Sequence, residues 1–374
     1  MGRRLLIAPG RGVNCMRTNC EPLPSTAFAH TVRVLGWQLG WALAAALVLA
    51  PVAANAQQSD FAGKTITILT SGSAGGGYDM YARLVSRHIG RFLPGNPSAT
   101  VKNVVGAGGF AAATRLYAIE PKDGTSFGIF QDTVAFAPLL ENATTKLNYD
   151  PLKFSWLGTM DSFVPTVISM TGTPFNTLED IQQKEMTVAS TGAGSTSFFY
   201  PKFLNAYLGT KLRIIAGYPG TPEVAMALER GEVEGYTAWC WSCIKVQRPE
   251  WYQMKKITVL LQLSMDGDPE LNSWGVRTLR DVLKTDEQKQ AAAILFGGLQ
   301  LARPFAAPPN VPEATLKILR EAFTAMARDK QFLDDAEKGS MPILYGDHKQ
   351  IEAALQNAYA ASPETLERLR KATE

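Results

Sequence analysis

A glycine-rich stretch, Ser71-Gly72-Ser73-Ala74-Gly75-Gly76-Gly77-Tyr78-Asp79, constrains this chain more than any other segment. Before it, Lys64 to Thr70 alternates β-branched and apolar residues, which predicts a strand. After it, Tyr81, Leu84, Val85, His88, Ile89 and Phe92 recur at helical spacing, with Arg83, Arg87 and Arg91 on another face. The order is strand, glycine turn, helix. Glycine has no Cβ, so the backbone of such a turn can approach a ligand closely. The first turn of the following helix leaves N–H groups unpaired, and the helix dipole adds about half a positive charge there. A carboxylate can be held at such a place without a lysine or a metal. A tight βα turn that binds nothing is the simpler account of one such loop alone.

The 374 residues are enough for two domains with real cores. The formal charge of +3 is misleading, because residues 1–56 contain five arginines and one acid. Without them the chain carries 32 basic and 33 acidic residues, a net charge of −1. Neither a basic block nor aromatic–basic interleaving makes a case for nucleic acid. Val34 to Val52 is mostly apolar, scattered arginines precede it, and Ala54-Asn55-Ala56 fits a small-x-small cleavage site. A signal peptide over 1–56 is expected, with Gln57 as the mature N-terminus; a permanent membrane anchor is the rival. No later apolar run is long enough to span a bilayer, so a soluble periplasmic protein is expected.

Alternating strands and helices continue through residues 60–135, implying an α/β domain with a mostly parallel sheet. Gly106-Ala107-Gly108-Gly109-Phe110-Ala111 matches a dinucleotide fingerprint in spacing. The acids Glu120 and Asp123, however, lie in a turn before the next strand rather than at its end. Tight helix–sheet packing accounts for these glycines, and no cofactor is expected. Gln131-Asp132-Thr133 opens another helix, with Asp132 or Thr133 as N-cap. Thr177 and Asp180 fit a capping box. Met186 to Ser190 then reads as a strand that runs into Thr191-Gly192-Ala193-Gly194-Ser195-Thr196-Ser197 and an apolar helix. The first device is thereby repeated, with hydroxyls added that can donate to a carboxylate or simply cap the helix. From about residue 270 the chain reads as largely helical.

Catalysis looks poorly provisioned. The mature chain has two histidines, His88 and His348, and neither a triad nor an H-E-x-x-H motif. The G-x-S-x-G comparison fails, because Ser195 follows Gly194 with the wrong spacing. Cys240-Trp241-Ser242-Cys243 could form a local disulfide, remain two thiols or act as a redox pair. A zinc site would need two further ligands, and no metal is expected.

Several of these segments resemble, in order, the Bug (TctC-like) periplasmic receptors of tripartite tricarboxylate transporters. Ala74 to Asp79 is similar to their A-G-G-G-T-D loop, Asn103 to Gly109 to N-x-x-G-A-G-G, and Pro121 to Gly124 to P-D-G. Gly192 to Ser195 matches G-x-G-S, Tyr218-Pro219-Gly220 resembles Y-x-G, and Gly231 to Glu234 follows as G-x-V-[DE]. The resemblance implies a type II periplasmic binding protein of two α/β lobes with mainly parallel sheets and a ligand cleft between them. The first lobe would be 57–160 with 267–374, the second 161–266. The implied ligand is a small carboxylated metabolite, the implied partners are membrane transporter subunits met transiently, and a monomer is expected. Carried over by position, the ligand would be held by Ser73, Ala74, Gly76, Gly77 and Tyr78 against Thr191, Gly194, Ser195 and Thr196, partly through water. Asp79 is expected to cap its helix through the loop, with Asp132 and Tyr218 nearby.

Two departures stand out. Ser71-Gly72 replaces the Pro-Phe of many members, and Trp239-Cys240-Trp241 stands where many have an acidic or amide residue. An indole at Trp239 implies a less polar distal pocket, suited to an aromatic or bulky acid. Alternatively both tryptophans pack inside the second lobe. An exported enzyme using the same cleft, or a receptor serving a sensor, are the competing functions.

Overall fold

The computed structural model describes residues 61–140, 147–298 and 302–373. The expected signal peptide, its expected cleavage site and Gln57 lie outside the described residues. From Ala56 onward the chain is one compact unit, built on two open sheets. β1 (Thr65–Thr70), β2 (Ser98–Asn103), β3 (Ser126–Ile129) and β4 (Ser155–Asp161) belong to the first sheet. β5 (Pro165–Met170), β6 (Met186–Ser190), β7 (Leu212–Ala216), β8 (Gly235–Cys240) and β9 (Ile257–Gln262) form the second. β10 (Ala302–Ala307) and the short β11 (Gly346–Asp347) return to the first, whose order is β11-β4-β10-β3-β1-β2. The second runs β7-β6-β8-β5-β9.

The two orders are variants of one plan. Each sheet has a parallel trio, β2-β1-β3 or β7-β6-β8, built by right-handed βα units. Next to each trio lies one strand that has just crossed from the other sheet, β10 or β5, and it runs antiparallel. Most strands of each sheet run one way, and the sheets are mixed because a strand entering from the opposite lobe arrives in the reverse direction. The sequence pattern does not mark β10 as a strand. Its residues, Ala302-Arg303-Pro304-Phe305-Ala306-Ala307, are all buried and show no alternation, so neither period marks them.

Aromatic stacking fixes the first sheet. Phe127, Phe305 and Phe323 form mutually tilted pairs with centroids 5.3–6.3 Å apart, welding β3 and β10 to the helix Glu313–Ala327. The second sheet buries Tyr236, Trp239 and Trp251 against the helix Thr221–Glu229 side. The loop near residue 266, expected to return to the first lobe, is followed by a helix that packs on the second sheet. The helix Pro269–Ser273 buries Leu271 with Trp241 and Trp251, Glu270 accepts from Trp241 Nε1 at 2.8 Å, and Gln262 bridges to Thr278. Phe296 packs on Tyr200 and Phe203 of the second lobe. The chain leaves the second sheet only on its way into β10. The C-terminal helix Pro363–Thr373 also packs on the helix Thr196–Leu208, with Lys202 Nζ donating to Thr373 O at 3.0 Å. Nothing in an amphipathic surface pattern says which lobe it covers.

Candidate functional site

The first glycine loop leaves β1 at Thr70 and enters the helix Gly77–His88, whose N-cap is Gly76. Asp79, buried, holds it in shape. Its Oδ2 accepts the Gly75 N–H at 2.9 Å and Arg83 Nε at 2.8 Å, while its Oδ1 accepts Asn103 Nδ2 at 2.9 Å. Burial acts to raise the Asp79 pKa, but Arg83, the Gly75 N–H and Asn103 together hold it below the usual carboxylate range. Asn103 also donates to Gly72 O at 2.8 Å, so the end of β2 clamps the loop. Ala74 faces outward and is exposed. Asp79 thus shapes the loop from behind.

The second loop, between β6 and the helix Thr196–Leu208, uses its hydroxyls on itself. Ser195 Oγ donates to Gly192 O at 2.8 Å and lies 2.7 Å from Ser197 Oγ, and the Thr191 N–H donates to Ser197 Oγ at 3.1 Å. Ser195 is fully buried. Of this loop, Thr191 and Thr196 reach the space between the lobes.

That space is a cavity of about 70 Å³ at the meeting of both loops. Ser73, Gly76, Gly77, Tyr78, Thr191, Thr196 and Trp239 line it. Ala74, Asp79, Asp132, Gly194, Ser195 and Tyr218 are not among its lining. The lobes touch around it. Ser73 Oγ donates to Glu223 Oε2 at 2.9 Å, Thr133 Oγ1 to Gly194 O at 2.9 Å, and the Thr196 N–H to Gln131 Oε1 at 3.3 Å. Gly108 (φ +65°) approaches so closely that a Cβ there would lie 2.3 Å from Ser195 N. A Cβ on Gly194 would lie 2.4 Å from Ala107 O. The G-x-G-x-x-[G/A] glycines therefore make lobe–lobe contact as well as helix–sheet packing.

Asp132 is buried at the N-cap of the helix Thr133–Phe136, where Tyr200 OH donates to its Oδ2 at 3.3 Å. Burial pushes its carboxyl up to about 6, against hydrogen bonds from Thr133 and Tyr200. Tyr218, half-buried, anchors its loop through its N–H to Ser190 O. Trp241 is packed into the second lobe against Tyr252 and Trp274. Trp239 packs on Tyr236 and Trp251, lines the cavity, and keeps a buried Nε1 without a hydrogen-bond partner. Trp156, Trp241 and Trp251 all donate theirs. Cys240 and Cys243, also lining the cavity, are joined as a disulfide.

Arg303 and Gln247 line the cavity too, and the sequence reading named neither. Arg303, 3% exposed, lies under the rings of Tyr78, Tyr81 and Phe163 at 4.8, 4.6 and 5.3 Å. Its Nε stands 3.7 Å from Asp161 Oδ2. Burial pushes the Asp161 carboxyl up to about 6, although Arg303 and the Tyr81 hydroxyl pull the other way. The indole of Trp239 thus shares the cavity lining with a guanidinium and an amide.

No protein-family model matches the chain. It is 28% identical to a UPF0065 protein of Bordetella bronchiseptica over 199 residues, which span 50% of this chain and 57% of that protein. Among solved structures it is similar to the periplasmic binding protein BugD, with a TM-score of 0.64 and 20% identity over 82% of this chain and 97% of that one. MatC from Rhodopseudomonas palustris with bound malate gives 0.63 and 20%, covering 83% and 99%. Rpa4515 of R. palustris with adipate gives 0.64 and 17%, covering 83% and 98%. With two mixed sheets and these neighbours, the fold of this chain is that of the Bug and TctC-like periplasmic binding proteins.

Proposed function

We propose that the chain is a periplasmic solute receptor that closes over a small carboxylated metabolite and delivers it to a tripartite tricarboxylate-type transporter. The observation that carries this is the cavity, where the start of the helix Gly77–His88 and the loops of both lobes converge on enclosed space. Backbone N–H groups at a helix start favour an anion, and exclusion of water strengthens each contact. The lobes would part and close about the two crossings between the sheets, as in hinge-type receptors. Neighbours of the same fold that hold malate and adipate support the carboxylate class. The site residues of this reading are Ser73, Gly76, Gly77, Tyr78, Thr191, Thr196 and Trp239, with Asp79, Gly194 and Ser195 shaping the loops. The protein acts without chemical conversion of its ligand.

A thermal-shift screen of the protein from Gln57 onward, against mono-, di- and tricarboxylates including aromatic acids, tests the proposal. Ligand at about 100 times its dissociation constant stabilises by about 2.7 kcal/mol, a rise of a few degrees. A selective shift with ligand recovered unchanged is the expected result. No shift with any carboxylate, or steady conversion of one, overturns it.

A further inference from the structure

We infer that Arg303 is the charged anchor of the ligand's carboxylate, acting together with the start of the helix Gly77–His88. This rests on the receptor reading above and goes beyond an anchor of backbone and water. Four observations meet at this residue. First, its guanidinium is pressed against the helix start: a Cβ built on Gly77 would lie 2.9 Å from Nη2 and 3.1 Å from Nη1. A fixed cation and the positive end of a 12-residue helix repel one another unless an anion sits between them. Second, Arg303 is short of acceptors. Nη2 donates to Cys243 Sγ at 3.1 Å, a weak acceptor, and the buried Nε has no hydrogen-bond partner. Its counterion Asp161 is beyond hydrogen-bond distance at Nε and leaves its own Oδ1 unpaired.

Third, a donor from the other lobe stands at the same helix start, and further donors belong to residues of the same cavity. Gln247 Nε2 stands 3.2 Å from the Gly77 Cβ position, and the orphaned indole N–H of Trp239 belongs to the same cavity. Ser71, also lining it, has a buried hydroxyl without a partner. The lining holds a guanidinium, side-chain amides and an indole but no Asp or Glu, which suits a carboxylate and not a cation. Fourth, Arg303 adopts φ +64° inside a strand, a left-handed backbone that a residue before proline rarely takes. Such strained positions concentrate where a side chain must be aimed at a ligand. Gly77 completes the arrangement, since a larger residue would push the guanidinium away.

Calorimetric titration of the full mature chain tests this, with straight-chain acids from acetate to adipate, malate, citrate and benzoate, each paired with its primary amide. Wild type is expected to prefer an acid over its amide by at least about tenfold. Arg303→Gln should weaken the acid by about tenfold to a hundredfold and change the amide by less than about threefold, with Arg303→Lys recovering part of the acid affinity. Gln247→Glu, on a half-buried surface helix, should also erase the acid preference, which guards against an Arg303 variant that fails to fold. A folded Arg303→Gln that keeps the full acid-over-amide preference overturns the inference and leaves the receptor reading standing. Wild type that binds no carboxylate overturns both.

Discussion

The two glycine loops begin from one plan and end with different duties. Each follows the first strand of a parallel trio and opens a helix, at Gly77 in one lobe and Thr196 in the other. The first is braced from outside, by Asp79, Asn103 and Arg83, so Ser71 to Ser73 and Gly76 to Tyr78 are left lining the cavity. The second is braced from inside, by Ser190, Ser195 and Ser197, and presents only Thr191 and Thr196. Hydroxyls that look like ligand donors in sequence are here the scaffold. A hydroxyl binds the nearest acceptor, and within a tight loop that acceptor is its own backbone.

The contrast can be broken most sharply at the glycines. Gly194→Val places a side chain within 2.4 Å of Ala107 O and 2.6 Å of the Phe110 ring across the cleft, so the lobes cannot meet. Ligand affinity measured by calorimetry should fall by about a hundredfold or more, since only the closed form encloses the ligand. Gly77→Ala meets instead the guanidinium of Arg303, side-chain atoms that need to give only a few tenths of an ångström where the backbone at Ala107 cannot. Its loss should be about tenfold or less. Equal losses at the two positions would show that both loops have the same duty.

Stability sharpens the comparison next. Asp79→Ala strips charged acceptors from Gly75, Asn103 and Arg83 and should cost about 2–3 kcal/mol in urea unfolding. Ser195→Ala loses one member of a neutral hydroxyl chain and should cost about 1 kcal/mol. The reverse order would place the stronger brace in the second loop.

The smallest effect expected is on pH. Asp161 has its folded pKa raised from 3.8 to about 6, so between those values the native protein binds more protons than the unfolded chain. Its contribution to stability is therefore greatest at low pH and declines as pH rises through that window. Asp161→Asn should flatten this slope in thermal unfolding. The charged and titratable groups facing Asp161 are Arg303 and the hydroxyl of Tyr81, with Tyr78 beyond the guanidinium. Neutralising Asp161 leaves Arg303 uncompensated, so carboxylate affinity should rise as pH falls through about 6, until the ligand itself protonates. An affinity flat across that range would mean that Asp161 and the ligand do not share the guanidinium.

Much of the frame was legible because it is local. The strand–glycine–helix order at Thr65 to His88, the parallel strands β2 and β6, and the Thr177 capping box follow from spacing and turn chemistry. What was not legible is set by long-range contacts. β10 is an Ala- and Pro-containing buried run whose strand identity comes from β3 and β4 on either side. Arg303 reaches the helix start from 226 positions along the chain, and no pattern within a window of residues could place it there. The attachment of Pro269–Ser273 to the second lobe depends on Glu270 meeting Trp241 and Lys245, again a tertiary event.

The most direct test of the central claim is calorimetric titration of the mature protein with the carboxylate panel. The expected result is one-site binding of a small carboxylate, with tight discrimination against its amide. Folded, ligand-free protein that binds none of the acids, or binds acid and amide equally, would contradict it.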